Sequence, residues 1–305
     1  MIDILLAAYN GEKYIGEQIE SVMSQSFQNI HLTVCDDASS DRTADIVRSY
    51  ESRYPHKISL SVNRENSGSV GANFFAMLTK AQGDYVMFCD QDDVWFPDKV
   101  EKSIEKIKQA ENKYGEKTPL LLHTDLTVTD ENLQVKAKSM FAYQHLNHNS
   151  NTVEKLLVQN IATGCTFTLN RPLVDRLTHT PQSVPLHDWW IALYTACCGR
   201  IVFLDEPTLF YRQHGTNTCG AKDMGDIRYI EERLKNGKNA SLMLKYGYRQ
   251  AAEMAQLLGE NEDRELVKGY GELENKPYLK RLAFALKNKT LKDGIVRKAG
   301  QILFL

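Results

Sequence analysis

Three acidic side chains and one amide stand together in the run Cys89-Asp90-Gln91-Asp92-Asp93. Carboxylates this close repel one another, and a divalent cation that prefers oxygen ligands relieves the repulsion. Mg²⁺ commonly uses one or two protein carboxylates together with phosphate oxygens of a substrate, and Mn²⁺ has similar ligand preferences. The run therefore predicts a metal site that serves a phosphorylated ligand. An ordinary helix N-terminus, where acids favour the helix dipole, is the alternative.

A second acidic pair, Asp36-Asp37, follows another short apolar run. In nucleotide-binding folds an acid at such a point reaches a ribose hydroxyl or a base N–H. Capping of the next helix is the alternative, although Ser40 and Asp41 are already available for that. Tyr9 follows a further apolar run, where its ring either stacks on a base or lies half-buried in the core.

These polar groups follow apolar runs that alternate with helical patterns. The runs at 4–8, 32–35, 58–62 and 85–89 predict strands, and apolar residues three or four apart predict helices near 15–23, 44–50, 72–81 and 100–107. The alternation predicts an α/β fold with a mostly parallel sheet, which binds ligands at the carboxyl ends of its strands. The polar clusters fall there, at Tyr9-Asn10, Asp36-Asp37, Asn66–Gly68 and Asp90–Asp93. Further along, 120–123 and 201–204 predict strands, and 187–196 and 226–258 predict helical structure.

The composition narrows the classes of function. With 37 Lys plus Arg against 39 Asp plus Glu, the 305 residues carry a net charge of −2, which argues against a nucleic-acid binder that depends on bulk positive charge. No apolar run approaches the roughly 18 residues of a transmembrane helix, and the N-terminus lacks the features of a signal peptide. The absence of a C-x-x-C pair disfavours a zinc site. The glycine motifs of dinucleotide oxidoreductases and P-loop NTPases are missing as well.

The charge is unevenly distributed along the chain. Residues 276–305 contain eight basic side chains and one acidic, a net charge of +7, which leaves −9 for residues 1–275. Leu279, Leu282, Ala283 and Leu286 recur at helical spacing within this basic segment. Such a helix can lie on an anionic membrane surface, or it can pack on the preceding domain with a solvated outer face. Cysteines inside strand-like runs fit a reducing compartment, so we expect a cytoplasmic protein.

Several motifs carry a family resemblance when they are taken in order. The chain resembles the N-terminal half of a family 2 glycosyltransferase with the GT-A fold, over roughly residues 1–220. The motifs are Ala7-Ala8-Tyr9-Asn10-Gly11, Val34–Asp41 and Asp90–Lys99. The segments His187-Asp188-Trp189-Trp190 and Tyr211-Arg212-Gln213-His214-Gly215 are similar to those of the bacterial rhamnosyltransferase-like branch.

The resemblance implies a nucleotide-binding half at 1–118, an acceptor-binding half at 119–220 and a helical, basic extension at 221–305. It also implies a nucleotide-sugar donor (a dTDP- or UDP-sugar), Mn²⁺ or Mg²⁺, and inversion at the anomeric carbon. Tyr9 and Asp37 would contact the base, Asp90 the ribose, and Asp93 the sugar. Asp92 would ligate the metal, with His214 as a second metal or phosphate contact. The implied donor-binding positions are Ala8, Tyr9, Asn10, Asp37, Asn66, Gly68, Asp90, Gln91, Asp93 and Arg212.

On the acceptor side, Asp188 matches the acid of the family's base motif. An acceptor hydroxyl has a high pKa and needs such a base within hydrogen-bond distance. Trp189 and Trp190 would form a platform for the acceptor sugar, and Gly164 would lie near it. The alternatives are a helix cap for Asp188, helix core for the tryptophans and an ordinary loop histidine for His214. Arg212 offers a fork of donors that suits a diphosphate.

These expectations combine into one function. The chain is expected to add one sugar, with rhamnose as the candidate, to a cell-surface polysaccharide or lipid-linked glycan at the inner face of the cell membrane. His187 replaces the Glu that many relatives have, and the Gln-x-x-Arg-Trp motif of processive members is missing, which disfavours synthesis of a long polymer. Two alternatives stay open. A nucleotidyltransferase of similar fold would need a glycine- and lysine-rich loop after Tyr9, and a non-catalytic scaffold would not need Asp92 and Asp188.

Overall fold

The computed structural model describes residues 1–182, 186–215, 220, 237–260 and 262–305. It confirms the predicted α/β class with a mostly parallel sheet flanked by helices. The strands are β1 (Ile2–Ala8), β2 (Ile30–Asp36), β3 (Ile58–Val62), β4 (Tyr85–Asp90), β5 (Val94–Trp95), β6 (Leu120–Thr129), β7 (Val135–Ala137), β8 (Thr168–Asn170) and β9 (Arg200–Arg212).

The helices separate the strands in the first third of the chain and dominate its last third. They are α1 (Ile15–Met23), α2 (Thr43–Arg53), α3 (Val70–Leu78), α4 (Lys99–Tyr114), α5 (Met140–Tyr143), α6 (Val153–Leu156), α7 (Arg171–Val174), α8 (His187–Cys198), α9 (Gly237–Met254), α10 (Glu262–Gly271), α11 (Tyr278–Lys287) and α12 (Ile295–Phe304). Short 3₁₀ turns cover Gly164–Thr166 and Glu272–Asn275. None of the described helices is long and apolar enough to cross a membrane.

The chain forms two compact units. Unit 1 comprises Met1–Met140, Ala162–Thr180 and Gly199–Gly220, and unit 2 comprises Phe141–Ile161, Pro181–Cys198 and the described part of Ala221–Leu305. Unit 2 thus groups the C-terminal helices with two earlier segments that the sequence-based division at residue 220 leaves in the first domain.

Unit 1 is built on a mixed sheet with the strand order β3-β2-β1-β4-β8-β6-β9-β5, and β7 pairs with β6. The first four strands in this order are parallel to their neighbours. β8 is antiparallel to both β4 and β6, and β6 runs parallel to β9. The two halves of the sheet therefore join through a three-residue strand that the sequence did not predict.

The strand register places the predicted polar clusters at one edge. Ala8 at the end of β1 lies opposite Asp36 at the end of β2, and Asp36 lies opposite Val62 at the end of β3. Ala7 pairs with Asp90, the last residue of β4. The carboxyl ends of these four parallel strands therefore meet, as the α/β pattern predicts.

The core of unit 1 follows from the apolar runs. Ile15, Ile19 and Val22 on α1 are fully buried, as their helical spacing predicts. Within β4 the Phe88 ring stacks on Phe74 of α3 with a centroid distance of 4.7 Å. Helix α3 begins after Ser69, whose Oγ accepts a hydrogen bond from the Ala72 N–H, so it starts and ends earlier than the predicted 72–81.

Unit 2 is helical in its described part. The Tyr248 ring of α9 lies 4.9 Å from the Tyr270 ring of α10, and both are buried. A Cβ on Gly271, at the end of α10, would come within 2.6 Å of the Ala252 backbone nitrogen of α9, so this close approach requires glycine. The helical structure predicted for 226–258 is present from Gly237 to Met254, and 226–236 lie outside the described residues.

Candidate active site

The first element of the site is the Tyr9 segment after β1. Gln91 accepts a hydrogen bond from the Tyr9 N–H at 2.8 Å and donates one to the Tyr9 carbonyl at 3.0 Å. A Cβ on Gly11 would lie only 2.2 Å from Gln91 Oε1, so glycine is needed beside this amide. The predicted contact of Gln91 with the donor stays a prediction. Its amide holds the Tyr9 backbone, and the Tyr9 ring itself is 48% exposed.

Asn10 also shapes this segment. Its φ of 47° lies in the left-handed region, which asparagine tolerates better than most residues. Its Oδ1 accepts a hydrogen bond from the Ser40 N–H at 2.9 Å, and its own N–H donates to Ser39 Oγ at 2.8 Å. Asn10 thus joins the loops after β1 and β2, and its predicted contact with the donor stays a prediction. Ala8 ends β1 and is buried, so only its backbone is available to a ligand.

Asp37 is buried in a pocket made by the loop after β3. Its carboxylate accepts hydrogen bonds from Asn63 Nδ2 at 2.7 Å and from the Ser67 N–H and Oγ at 2.9 and 2.8 Å. Burial raises the pKa of Asp37, but these hydrogen bonds outweigh it and leave the pKa below its ordinary value. Asp37 is therefore ionised at neutral pH and organises the loop.

The predicted residues Asn66 and Gly68 belong to the same loop. Asn66 Nδ2 donates to the Asp37 carbonyl at 3.1 Å, and Asn66 Oδ1 accepts from the Gly68 N–H at 2.7 Å. Gly68 has a φ of +69°, a conformation that favours glycine, and open space surrounds its Cα. The loop is thus closed by its own hydrogen bonds and leaves its outer backbone accessible.

Asp92 and His214 form the next element, after β4 and β9. Asp92 Oδ2 lies 2.7 Å from His214 Nε2, and their side chains are 16% and 11% exposed. The His214 ring lies against the Tyr14 ring at a centroid distance of 4.9 Å. The structure therefore brings together the two residues that were predicted to bind the metal, although they are 122 positions apart in sequence.

Arg212 supports this pair from within the protein. Its Nε donates to the Asp92 carbonyl at 2.8 Å, one terminal nitrogen donates to the Glu131 carbonyl, and the other pairs with the Glu17 carboxylate. Its guanidinium also lies over the Tyr14 ring at 4.6 Å. Arg212 is only 4% exposed, so its predicted contact with a diphosphate is corrected to a positioning role for Asp92.

Asp90 and Asp93 approach Cys165, a residue from the 3₁₀ turn that Gly164 begins. One ligand atom from each of the three lies within 4.8 Å of the others. Asp93 is fully buried, and burial, followed by the charges of Asp92 and Asp90, raises its pKa well above the ordinary value. Burial likewise raises the pKa of the Cys165 thiol. Gly164 is itself buried, so it offers no exposed surface for the predicted contact with the acceptor.

Both sets of ligand atoms can be compared with the needs of a divalent cation. The Asp92–His214 pair offers a carboxylate, which suits Mg²⁺ and Mn²⁺, and an imidazole, a common metal ligand. A cation at this pair would take the place of the hydrogen bond between them. The Asp90–Asp93–Cys165 set fits less well, because a buried thiol with a raised pKa is a poor ligand for hard cations. The donor set thus favours the predicted Asp92 site.

A buried lysine lies beneath the acids. Lys99 of α4 is fully buried, and its Nζ donates to Thr208 Oγ1 at 3.1 Å and lies 4.9 Å from the Trp95 ring. Burial lowers the pKa of Lys99 to about 8. Lys99 was not among the predicted site residues. The sequence feature that could have marked it is its spacing: it lies four residues before Ser103 and eight before Ile107, on the buried face of the helix.

A cleft of about 410 Å³ opens beside His214. It lies between the β6–β7 connection and the end of β9, and most of its lining side chains are polar or charged. The lining residues are Asp130, Glu131, Asn132, Lys136, Gln213, His214 and Gly215. The residues of the β6–β7 connection were not predicted as site residues, because no sequence motif marks them. A polar cleft beside a candidate metal pair suits a hydroxyl-rich ligand.

The predicted base, Asp188, belongs to unit 2. It lies in the first turn of α8, where its Oδ1 accepts a hydrogen bond from the Trp189 N–H at 2.6 Å. Burial lowers the pKa of the neighbouring His187 to about 3, so that imidazole is neutral at physiological pH.

Trp189 and Trp190 differ from their predicted role as an exposed platform. They are 6% and 1% exposed, and Trp189 Nε1 donates to the Leu156 carbonyl of unit 2. The structure therefore corrects the expectation of an exposed stacking surface and favours the helix-core alternative for both indoles.

The chain is similar to known proteins in sequence and in fold. Residues 3–115 match the model of the glycosyl transferase family 2. The chain is 25% identical over 279 residues to the dTDP-rhamnosyl transferase RfbG of Shigella flexneri, across 87% of this chain and 89% of that protein. It is 38% identical over 105 residues to the putative teichuronic acid biosynthesis glycosyltransferase TuaG of Bacillus subtilis, across 34% and 41% of the two chains.

Solved structures share the fold. TarS of S. aureus in complex with UDP-GlcNAc is similar with a TM-score of 0.60 at 17% identity, over all of this chain and 79% of that one. The mannosyltransferase PcManGT from Pyrobaculum calidifontis, in complex with GDP-Man and Mn²⁺, gives a TM-score of 0.56 at 15% identity, over 94% and 73%. With the acids at the carboxyl edge of the sheet, these similarities confirm the expected resemblance to glycosyltransferase family 2, whose model matches residues 3–115, and the solved structures show that the chain has the GT-A fold.

Proposed function

We propose that the enzyme transfers one sugar, with rhamnose from a dTDP donor as the first candidate, to a hydroxyl of a cell-surface polysaccharide or lipid-linked glycan. The proposal includes inversion at the anomeric carbon and dependence on Mn²⁺ or Mg²⁺. The observation that carries it is the Asp92–His214 pair at the carboxyl edge of the sheet. The similarity to a dTDP-rhamnosyl transferase supports rhamnose, and the UDP-GlcNAc complex of TarS keeps a UDP-sugar as the second donor to test.

The donor half of the site derives from unit 1. A cation held by Asp92 and His214 would act as a Lewis acid that offsets the charge of the departing nucleoside diphosphate. The exposed Tyr9 ring is free to stack on the base. Asp37 contributes by fixing the loop after β3, and Arg212 fixes the backbone of Asp92. Preorganised groups of this kind do not need to rearrange when charge develops.

The acceptor half requires a base. In the proposed reaction the acceptor oxygen bonds to the anomeric carbon as the bond to the diphosphate oxygen breaks, and the acceptor proton passes to the Asp188 carboxylate. The hydrogen bond from the Trp189 N–H orients that carboxylate. Attack on the face opposite the leaving group inverts the anomeric centre.

The cleft beside His214 gives the proposal a place for sugar hydroxyls. Asp130 and Asn132 supply acceptors, and Lys136 supplies donors at its rim. Because the cleft adjoins the candidate metal pair, a sugar there would be close to the leaving diphosphate. We therefore place part of the transferred sugar or of the acceptor in this cleft.

We extend the proposal to location, at the cytoplasmic face of the cell membrane, where lipid-linked acceptors are presented. The basic composition of residues 276–305 supports it.

The proposed function is tested with a panel of nucleotide sugars, each measured by thermal shift with and without Mn²⁺. We expect dTDP-rhamnose with Mn²⁺ to raise the melting temperature, and EDTA to remove the shift. Turnover of the stabilising donor is then measured, and the anomeric configuration of the product is read by NMR.

Asp188→Asn separates binding from chemistry. The variant should keep the metal-dependent thermal shift but lose transfer, because the amide cannot accept the proton. The matched control is Asp45→Asn on α2, where Asp45 is exposed and pairs with Arg48. Normal transfer by Asp188→Asn would refute the assigned base, and turnover unaffected by EDTA would refute the metal requirement.

A further inference from the structure

Two helices of unit 2 carry large apolar side chains on their exposed faces. On α11, Leu279 is 74% and Leu286 58% exposed, with the exposed Ala283 between them at helical spacing. On α12, Ile295 is 89% and Leu303 64% exposed, eight residues apart on one face. Each helix thus presents an apolar stripe to solvent, and exposed apolar surface of this kind marks an interaction site.

Exposed lysines border these stripes. Five exposed lysines lie on or next to the two helices, and none forms an ion pair with a described residue. They are Lys276, Lys280, Lys287, Lys289 and Lys298. Asp293 is the single acid of residues 276–305, and its carboxylate pairs with Lys155 of the same unit at 2.7 Å. The exposed charge of this segment is therefore positive throughout.

The opposite faces of the helices are anchored in unit 2. Arg281 of α11 donates to the carbonyls of Glu274 and Lys276, and its guanidinium lies over the Tyr248 ring at 5.8 Å. Arg297 of α12 donates to the carbonyls of Gln144 and His145. The two arginines are thus used internally while the lysines face solvent, so the stripes are preformed and do not depend on a partner for folding.

We propose that the two stripes, Leu279-Ala283-Leu286 on α11 and Ile295-Leu303 on α12, dock the enzyme on an anionic lipid bilayer together with the five lysines, and we call this set of residues the lysine-edged face. The apolar side chains enter the boundary between headgroups and acyl chains, and the lysines meet the lipid phosphates. The rest of the chain carries a net charge of −9, which an anionic surface repels, so docking through this face also sets the orientation of unit 2. This inference rests on the proposed function only for the choice of the cytoplasmic leaflet.

The combination of groups selects a bilayer over other occupants. A nucleic acid would match the lysines but offers no partner for Leu279 and Ile295. A second copy of the chain would match the leucines but would bring the same positive face against itself. Only an anionic bilayer supplies both an apolar interior and a negative surface.

The test is flotation of the full chain, without donor or acceptor, with vesicles of phosphatidylcholine alone or with about 30% phosphatidylglycerol. We expect binding to the anionic vesicles that weakens as salt rises. A stripe variant with Leu279→Ser, Leu286→Ser, Ile295→Ser and Leu303→Ser should bind at least about ten-fold more weakly. A charge variant with Lys276→Gln, Lys280→Gln, Lys287→Gln and Lys298→Gln should also lose at least about ten-fold.

The matched control removes the same charge from unit 1, through Lys80→Gln, Lys108→Gln, Lys113→Gln and Lys117→Gln, and should bind as the wild type does. Absence of wild-type binding, equal binding to neutral vesicles, or an equal loss in the control would overturn the proposal. So would a wild-type dimer in ultracentrifugation that the stripe variant dissociates, which would assign the face to a second copy. Vesicle binding without sugar transfer would refute the proposed function and leave this inference intact.

Discussion

Two buried carboxylates at the same sheet edge behave in opposite ways. Asp37, after β2, and Asp93, after β4, are 4% and 0% exposed. The pKa of Asp37 lies below its ordinary value, because three donors from Asn63 and Ser67 point at its oxygens. The pKa of Asp93 lies well above it, because burial and the charges of Asp92 and Asp90 act together.

The difference shows that donors, and not burial alone, decide whether a buried acid is ionised. The Asp37 pocket is complete within the protein and has a structural task. Around Asp93 the negative charges of Asp92 and Asp90 act against its ionised form, which is the condition that a bound cation relieves. Variants at the two places should therefore fail in different ways.

The largest effect is expected at Asp92. Asp92→Asn removes the charge that would hold a cation, so transfer should fall about 10²–10³-fold while the unfolding free energy in EDTA stays near that of the wild type. Steady-state rates with and without Mn²⁺ measure the first, and urea unfolding measures the second. An Asp92→Asn variant that keeps full Mn²⁺-dependent activity would contradict the assignment.

The next largest effect is expected at Arg212, because its side chain holds the backbone of Asp92. Arg212→Ala leaves the two carbonyls and the carboxylate that accept from Arg212 without these donors, and it leaves a cavity. We therefore expect a loss of about 3 kcal/mol in unfolding free energy. Arg48→Ala, at the exposed pair with Asp45, is the control and should cost under about 1 kcal/mol. Comparable losses in both variants would mean that the buried contacts of Arg212 contribute no more to the unfolding free energy than an exposed ion pair does.

Amide substitutions test the two carboxylates directly. Asp37→Asn places an NH₂ group among donors and should cost about 2 kcal/mol. Asp93→Asn replaces a carboxyl group whose ionised form is disfavoured by burial and by the charges of Asp92 and Asp90, so in EDTA it should cost clearly less than Asp37→Asn. Urea unfolding at pH 7 measures both, and a reversed order would break the comparison.

The smallest expected effect is in the pH dependence of the metal-free protein. The lowered pKa of Asp37 gives stability that is present above about pH 4 and is lost as pH falls through the folded-state pKa. The raised pKa of Asp93 gives stability that is present below about pH 4 and is lost as pH rises through its folded-state pKa, with a slope of at most about 1.4 kcal/mol per pH unit.

Each asparagine variant should therefore reduce the pH dependence of the unfolding free energy on one side of about pH 4. Asp93→Asn should reduce the decline in stability above about pH 4, and Asp37→Asn the decline below it. Unfolding free energies between pH 3 and 8 in EDTA provide the measurement. Parallel curves for wild type and both variants would show that neither pKa is shifted.

Sequence patterns predicted the elements whose signals are local. The apolar runs marked β1, β2 and β4, and the spacing of Ile15, Ile19 and Val22 marked α1. The placement of acids at strand ends followed from the parallel sheet. These features depend on neighbouring residues and on a general rule of topology, so one sequence suffices.

Contacts between distant residues could not be predicted in the same way. Cys165 meets Asp93 only because β8 turns back beside β4, and β8 is three residues long. The backbone contacts of Arg212 and Gln91 could not be predicted, because a polar side chain near a ligand site can bind the ligand or the backbone, and the sequence pattern is the same in both cases. The cleft at Lys136 depends on a hairpin with no motif.

The short strand β8 has a consequence for how this chain is made. On a ribosome, β1 to β4 are complete once residue 90 has emerged. The outer edge of β4 pairs with Thr168–Asn170, so the nascent chain carries a largely apolar, open sheet edge until about eighty further residues follow. Unpaired edges of that kind invite association with other chains. Residues 3–115, which match the family model, end before the strand that pairs with β4, so we expect this fragment to associate with other chains when it is expressed by itself.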